Sequence, residues 1–180
     1  MNVWHDLPED RVTAERFTAV VEIPQGGKVK YELDKQTGCL RVDRILYTST
    51  QYPANYGFIP RTLASDGDPM DVLVLCQQSI FPLALIDCHP IGVLYMTDRD
   101  EADEKIIAVP ERDPAMCEYR DVAELPGHIR LEITHFFEVY KTLERSATVV
   151  ERIEGRESAV AALARSIARY RELRADGVSH

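Results

Sequence analysis

The chain has 180 residues, enough for one domain with a sizeable core, and at 45% hydrophobic and 28% charged it reads as a globule rather than a disordered chain. Lys and Arg number 21 against 30 for Asp and Glu, a formal charge of −9. That balance argues against nucleic acid or an anionic membrane surface as the main partner, and no apolar run approaches a membrane span.

The opening residues 1–11 have neither a basic nor an apolar signal region, so a cytoplasmic location is expected. Phe17, Ala19, Val21 and Ile23 alternate with polar or smaller residues and predict a half-buried strand ended by Pro24-Gln25-Gly26-Gly27. Residues 28–33 alternate again, with Val29, Tyr31 and Leu33 on one face and Lys28, Lys30 and Glu32 on the other. Gly26-Gly27-Lys28 is not a phosphate loop, because Glu22 stands where its first Gly belongs and Val29 where its Ser or Thr belongs. A turn over 34–38 leads into a third strand over 40–47, and residues 51–60, rich in Tyr, Pro and Asn, read as a loop.

Asp66-Gly67-Asp68-Pro69-Met70-Asp71 then sets three carboxylates in six residues at the mouth of the apolar strand 72–75. Charges ~4 Å apart repel by ~4 kcal/mol at an effective dielectric of ~20, so a cation has to answer them. Carboxylates without Cys or His suit Mg²⁺, Mn²⁺ or Ca²⁺ rather than zinc. A solvated acidic turn is the competing reading of this hexapeptide. An EF-hand is excluded, since Asp71 holds its Gly position and Gln77 its closing Glu position.

A strand is expected over 91–96, an acidic loop over 97–104 and a strand over 105–109. Helices come late. Ile129, Ile133, Phe136, Phe137 and Tyr140 make an apolar stripe over 126–141, with Pro126 in the first turn, and Val160, Leu163, Ala164, Ile167 and Tyr170 make one over 157–174. Many strands followed by helices predict an α+β, β-rich fold, a small barrel or curled sheet with helices outside. Cys39, Cys76, Cys88 and Cys117 form no CxxC pair, and Cys76 and Cys88 read as buried thiols. His5, His89, His128, His135 and His180 show no metal-ligand spacing; His135 reads as a helix-packing or subunit-contact residue.

Asp98-Arg99-Asp100-Glu101-Ala102-Asp103-Glu104-Lys105 is a second acidic group after a strand, which on its own reads as a solvated loop. Two such strand ends in one small sheet can face one cleft. Lys30, Arg44, Lys105 and Lys141, with Tyr52, Tyr56 and Tyr140, add groups suited to phosphate oxygens.

At these residues the chain resembles the family I soluble inorganic pyrophosphatases in their bacterial form. Asp66-Gly67-Asp68-Pro69-Met70-Asp71-Val72 matches the family's D-x-D-P-x-D-V signature, and Ile23-Pro24, Lys30-Tyr31-Glu32, Asp43-Arg44, Tyr52-Pro53-Ala54-Asn55-Tyr56-Gly57, Met96-Thr97-Asp98, His135-Phe136-Phe137 and Tyr140-Lys141 follow in register. The likeness runs over about residues 4–144. It implies a single domain over 1–180, an OB-like five-stranded β-barrel flanked by helices, and a homohexamer in the cytoplasm. The implied activity is Mg²⁺-dependent hydrolysis of pyrophosphate by direct in-line attack of a metal-activated water, with several Mg²⁺ per site and Mn²⁺ able to substitute.

By the same resemblance, Glu32, Asp66, Asp71, Asp98 and Asp103 hold metals. Asp68 is the general base, and Lys30, Arg44, Tyr56, Lys105, Tyr140 and Lys141 bind phosphate oxygens. Asp68, Tyr56, Lys30 and Arg44 form the catalytic set, with Glu22 and Tyr52 supporting it. The seven carboxylates outnumber the four cations, so the pocket needs metal ions before it attracts an anion. The chain departs from many relatives after Lys141, where Arg145-Ser146-Ala147-Thr148-Val149 replaces a basic stretch with a Trp. Two other readings remain: a broader metal-dependent phosphohydrolase acting on nucleotides or phosphate esters, and a non-enzymatic OB-like binding module, whose groove should be basic and aromatic.

Overall fold

A computed structural model describes residues 2–144, 146 and 148–175, so Arg145, Ala147 and His180 lie outside the described residues. In chain order the strands are β1 (Phe17–Ile23), β2 (Val29–Leu33), β3 (Leu40–Ile45), β4 (Asn55–Phe58), β5 (Asp71–Val74), β6 (Leu85–Asp98), β7 (Glu101–Pro110) and β8 (Thr148–Gly155). The helices α1 (Gly127–Val139) and α2 (Arg156–Ala175) flank β8 in sequence. One sheet runs β1-β4-β5-β7-β6-β8, and β6 also pairs with β1. Strands β1, β4, β5, β7 and β6 therefore close a ring of five, the strand-rich α+β architecture expected. Strand β6 makes the closure because it is long enough to serve two neighbours on one edge: residues 85–88 pair with β1 and residues 92–98 with β8. Strands β2 and β3 form a separate two-stranded ribbon.

The alternation of side chains across a strand decides what each face of the ring holds. Leu73 of β5, Leu75 just after it, and Ile107 and Val109 of β7 join a buried cluster with Leu94, Met96 and the α1 residues Ile133, Phe136 and Phe137. The intervening Val72, Val74, Ile106 and Ala108 cluster with Ala159, Ala162 and Leu163 of α2. Strands covered on both faces carry continuous apolar runs, which is how 72–75 reads in the sequence. Each Val, Leu or Ile side chain so buried contributes roughly 1.5–3 kcal/mol. Followed two residues at a time, the α1-facing row of β5 runs back from Leu75, just past its end, through Leu73 to Asp71, and that of β7 from Val109 through Ile107 to Lys105 and Asp103. One pleat thus carries both the core and the charges.

Several expectations are corrected. Strand β1 is buried along its whole length rather than half-buried, because it is paired on both edges and packed on both faces. Its pairing with β4 shifts between Val21 and Ile23, leaving Glu22 as the extra residue of a bulge, a feature that re-aims a side chain. Residues 55–58 are a strand, not loop. Residues 97–104 are not a loop either: β6 and β7 pair to their tips, Asp98 opposite Glu101, and Arg99 and Asp100 turn the hairpin with φ of 51° and 68°. Strand β8 went unrecognised because Glu151, Arg152 and Glu154 interrupt its apolar pattern at the sheet edge.

Helix α1 begins after Pro126 and buries Ile133, Phe136 and Phe137 of the expected stripe, with Ile129 partly buried, while His135 is exposed rather than packed in the interior. The buried face of α2 is rotated from the expected one: Ala159, Ala162, Leu163, Ser166 and Tyr170 are buried, whereas Ala164 is exposed and Val160 and Ile167 are intermediate. Small residues there let the helix approach the sheet, and the Ser166 hydroxyl accepts a hydrogen bond from Leu63 N at 3.0 Å. Cys88 is buried, while Cys76 is only partly so. No described helix is long and apolar enough to cross a membrane.

Gly57 of β4 lies opposite Val21 of β1 in their antiparallel ladder, and a Cβ there would come 1.9 Å from the Val20 carbonyl oxygen. Only backbone movement could relieve that clash. Gly57→Ala should cost about 3 kcal/mol or more and lower the Tm by roughly 6–12 °C, measured by thermal unfolding; an unchanged Tm would show that β1 and β4 can separate at no cost.

Candidate active site

Where the ribbon lies against the ring, a cleft of about 260 Å³ opens. Glu22 reaches it from the β1 bulge, Lys30 and Glu32 from β2, and Lys35 from the turn after β2. Tyr56 comes from β4, Asp66 and Asp68 from the Gly-Pro turn, Asp71 from β5, Asp98 from the end of β6, and Asp103 and Lys105 from β7. Tyr52 lines it from the loop before β4, and Tyr140 and Lys141 from the end of α1. Every site residue singled out from the sequence lines the cleft except Arg44, which stands opposite Lys30 in the β2–β3 register.

The centre is Lys105, 3% exposed. Its Nζ lies 2.6 Å from Asp71 Oδ2, 2.9 Å from Asp103 Oδ2 and 3.1 Å from the Tyr56 hydroxyl, which itself donates to Asp71. Burial disfavours the Lys105 charge, but Asp103 and Asp71 more than offset it and hold its pKa well above the usual value. Around this centre Lys141 binds Asp98, Lys30 binds Glu32 and approaches Asp43 at 3.4 Å, and Lys35 binds Asp68. Asp66 accepts a hydrogen bond from Asp68 N at 2.9 Å, which closes the Gly67 turn (φ 86°). Phe136 packs behind the phenols, 4.7 Å from Tyr52, and Tyr52 lies 5.2 Å from Tyr56.

Burial pushes the carboxyls of Asp66 and Asp103 up, and the neighbouring Asp71 charge adds to it. Glu22 is pushed up to about 8 by burial and by Asp71, despite a bond from Leu33 N at 2.8 Å. Burial likewise raises Tyr52, Tyr56 and Tyr140, leaving them neutral donors. Burial pulls the Lys141 ammonium down against the pull of Asp98. Acidic groups held above their range in a cleft are groups that a bound cation would relieve.

Among the described residues, Asp98 Oδ1 in the cleft and Arg44 Nη2 outside its lining are buried without a hydrogen-bond partner. The first suits a hard cation and the second an anionic oxygen, so the donor set fits a divalent metal together with a phosphate. As placed, Asp71 and Asp103 are turned onto Lys105, and no three His, Cys, Asp or Glu side chains among the described residues converge as a ready-made metal cage.

Sequence reasoning missed Lys35 as a cleft residue, and it gave no role to Asp43 or Glu144, which hold Arg44. Asp43 could have been found as the neighbour of Arg44 in the matched segment. No local signal joins Lys35 to Asp68 or Glu144 to Arg44, because those partners meet only through the tertiary fold.

The inorganic pyrophosphatase family model matches residues 19–171. Soluble inorganic pyrophosphatase 2 of Chlamydomonas reinhardtii is 47% identical over 169 residues, covering 94% of this chain and 88% of that one. The inorganic pyrophosphatase of Aquifex pyrophilus is 46% identical over 172 residues, covering 94% and 97%. Among solved structures, inorganic pyrophosphatase from Thermus thermophilus superposes with a TM-score of 0.91 at 36% identity, covering 95% of this chain and 99% of that one. The Helicobacter pylori enzyme gives 0.88 at 41% identity, covering 92% and 99%. A family match running through the ring, the ribbon and both helices, with relatives alike over nearly their whole length, makes this chain a member of the family I soluble inorganic pyrophosphatases, in their bacterial form.

Proposed function

We propose that this protein hydrolyses inorganic pyrophosphate to two phosphates in the cleft around Lys105, as one domain spanning residues 1–180, with Mg²⁺ as its cofactor. The observation that carries the reading is the convergence of carboxylates and phosphate-suited cations on one cleft, in which Asp98 Oδ1 is buried with no partner among the described residues. Asp66, Asp71, Asp98, Asp103 and Glu32 would hold the metal ions. When bound, Mg²⁺ supplies charge neutralisation and acidification of water.

The chain's own residues do the rest. Lys30, Arg44, Lys105 and Lys141, with the neutral phenols of Tyr56 and Tyr140, bind phosphate oxygens and spread the charge that develops on them. Asp68, on the rigid Gly-Pro turn, takes the proton of the attacking water. The water oxygen bonds to one phosphorus while the bridging P–O bond breaks and its electrons leave on the second phosphate. Glu22 and Tyr52 support this arrangement from behind, Glu22 by holding the ribbon through Leu33 N. The same reading includes a homohexamer and a cytoplasmic place of action.

Three measurements test it. Purified protein should release phosphate from pyrophosphate in Mg²⁺ and lose that activity in excess chelator, with ATP inert; equal turnover of ATP would favour a broader phosphohydrolase, and no release at all would remove the enzyme reading. Asp68→Asn should lower kcat about 10²–10⁴-fold with Mg²⁺ affinity nearly unchanged, whereas a loss of metal binding as the main effect would make Asp68 a ligand. The third concerns Glu22, whose carboxyl titrates at 4.5 in its ordinary state and at about 8 when folded. Between those values the native state keeps a proton that the unfolded chain has lost, so stability falls as pH rises through that window. In chelator, the Tm of the wild type should therefore drop between about pH 5 and pH 8, and Glu22→Gln, which keeps an acceptor for Leu33 N, should flatten the slope; an unchanged slope would show that Glu22 is ionised in the metal-free fold.

A further inference from the structure

Arg44 is the one cation of the proposed site that does not line the cleft, and what aims it is a pair of carboxylates. Its Nη1 donates to Asp43, the bulged neighbour in β3, and its Nε donates to Glu144 Oε1 at 2.9 Å. With Nε and Nη1 engaged, Nη2 is the nitrogen left buried and without a partner among the described residues. Glu144 is itself nearly enclosed, its side chain 10% exposed against 20% for that of Arg44. Asp43 Oδ2 takes both Arg44 Nη1 and, at 3.4 Å, the Nζ of Lys30, which lines the cleft, so the guanidinium stands beside the cleft wall.

A hydrogen-bonded turn carries Glu144. Residues Thr142–Glu144 form a single 3-10 turn directly after Lys141, closed by Glu144 N donating to Lys141 O at 2.9 Å and by the Thr142 hydroxyl donating to Val139 O at 2.8 Å. One turn at the end of α1 thus delivers Lys141 to Asp98 and Glu144 to Arg44. A guanidinium is planar, with five N–H groups in a fixed fork, so holding two of its nitrogens fixes the direction of the third.

We propose that Glu144 is a positioning residue for pyrophosphate: its hydrogen bond to Arg44 Nε, together with that of Asp43 to Nη1, directs Nη2 to a phosphate oxygen. The proposal rests on the reading of Arg44 as a phosphate-binding group. It differs from a role in merely fastening β3, because its effect has to pass through Arg44 and fall on substrate binding.

Steady-state hydrolysis in saturating Mg²⁺, with thermal unfolding alongside, tests it on wild type, Glu144→Ala, Glu144→Gln, Arg44→Ala and the Arg44→Ala/Glu144→Ala double variant. Glu144→Ala should raise KM about tenfold and leave kcat within about twofold. Glu144→Gln, whose amide oxygen still accepts from Nε, should recover most of the loss. In the Arg44→Ala background, Glu144→Ala should add less than about twofold. An unchanged KM in Glu144→Ala, or the same tenfold loss when Arg44 is absent, overturns the proposal. If Glu144→Ala fails to fold, Glu144→Asp decides: it keeps the charge but shortens the reach, and a wild-type KM in it equally overturns the proposal. A wild type that releases no phosphate removes the parent reading instead, so the two failures are distinguishable.

Discussion

A buried ammonium has to be answered where it stands, and the Lys105 charge sets the terms for the rest of this structure. Lys105 and Asp71 are register partners on the parallel strands β5 and β7, and Asp103 lies two residues along the same face. A slip of one residue would turn Lys105 toward the α2 side, into the cluster of Val72, Ile106 and Ala162, with no carboxylate to meet it. Removing one partner of a buried ion pair costs ~3–5 kcal/mol. The pairing that keeps Leu73 and Ile107 in the core is therefore the pairing that keeps the charged end of the cleft in order. Stability and site geometry share one constraint.

The opposite wall obeys a looser rule. The β2–β3 ribbon makes no ladder with the ring, yet it carries Lys30, Glu32 and Arg44. Tyr31 and Leu33 pack against the buried clusters, and polar contacts do the rest: Glu22 to Leu33 N, Lys35 to Asp68, and Arg44 to Glu144. Lys35 also rides over the Trp4 ring at 5.2 Å, and Asn2 donates to its carbonyl at 3.0 Å, so the N-terminal segment takes part in holding that wall. Three of these contacts end on residues of the candidate site, Glu22, Asp68 and Arg44.

An acidic chain handling a polyanion needs a reason, and the crowded carboxyls supply it. Burial and mutual repulsion hold Glu22, Asp66 and Asp103 above their ordinary range, so the cleft as it stands favours protons or metal cations over anions. The neutral phenols of Tyr56 and Tyr140 add donors without adding charge.

By itself the sequence determined the residue set. The D-x-D-P-x-D-V turn, the alternation of residues 17–23 and 28–33, and the apolar run at 72–75 are local patterns, and local patterns survive without a fold. It also carried enough ordered motifs to mark the family. Tertiary structure decided the rest, because it depends on closure of the ring. Residues 55–58 and 148–155 become strands through neighbours that their own composition does not announce, and 97–104 becomes a hairpin because β6 and β7 pair to their ends. Which cation meets which carboxylate is likewise a matter of register and packing: Lys105 finds Asp71 across a parallel ladder, and Arg44 finds Glu144 from 100 positions away in the chain. A charge in the sequence has a sign and a place in order; only the folded chain gives it a partner and a direction.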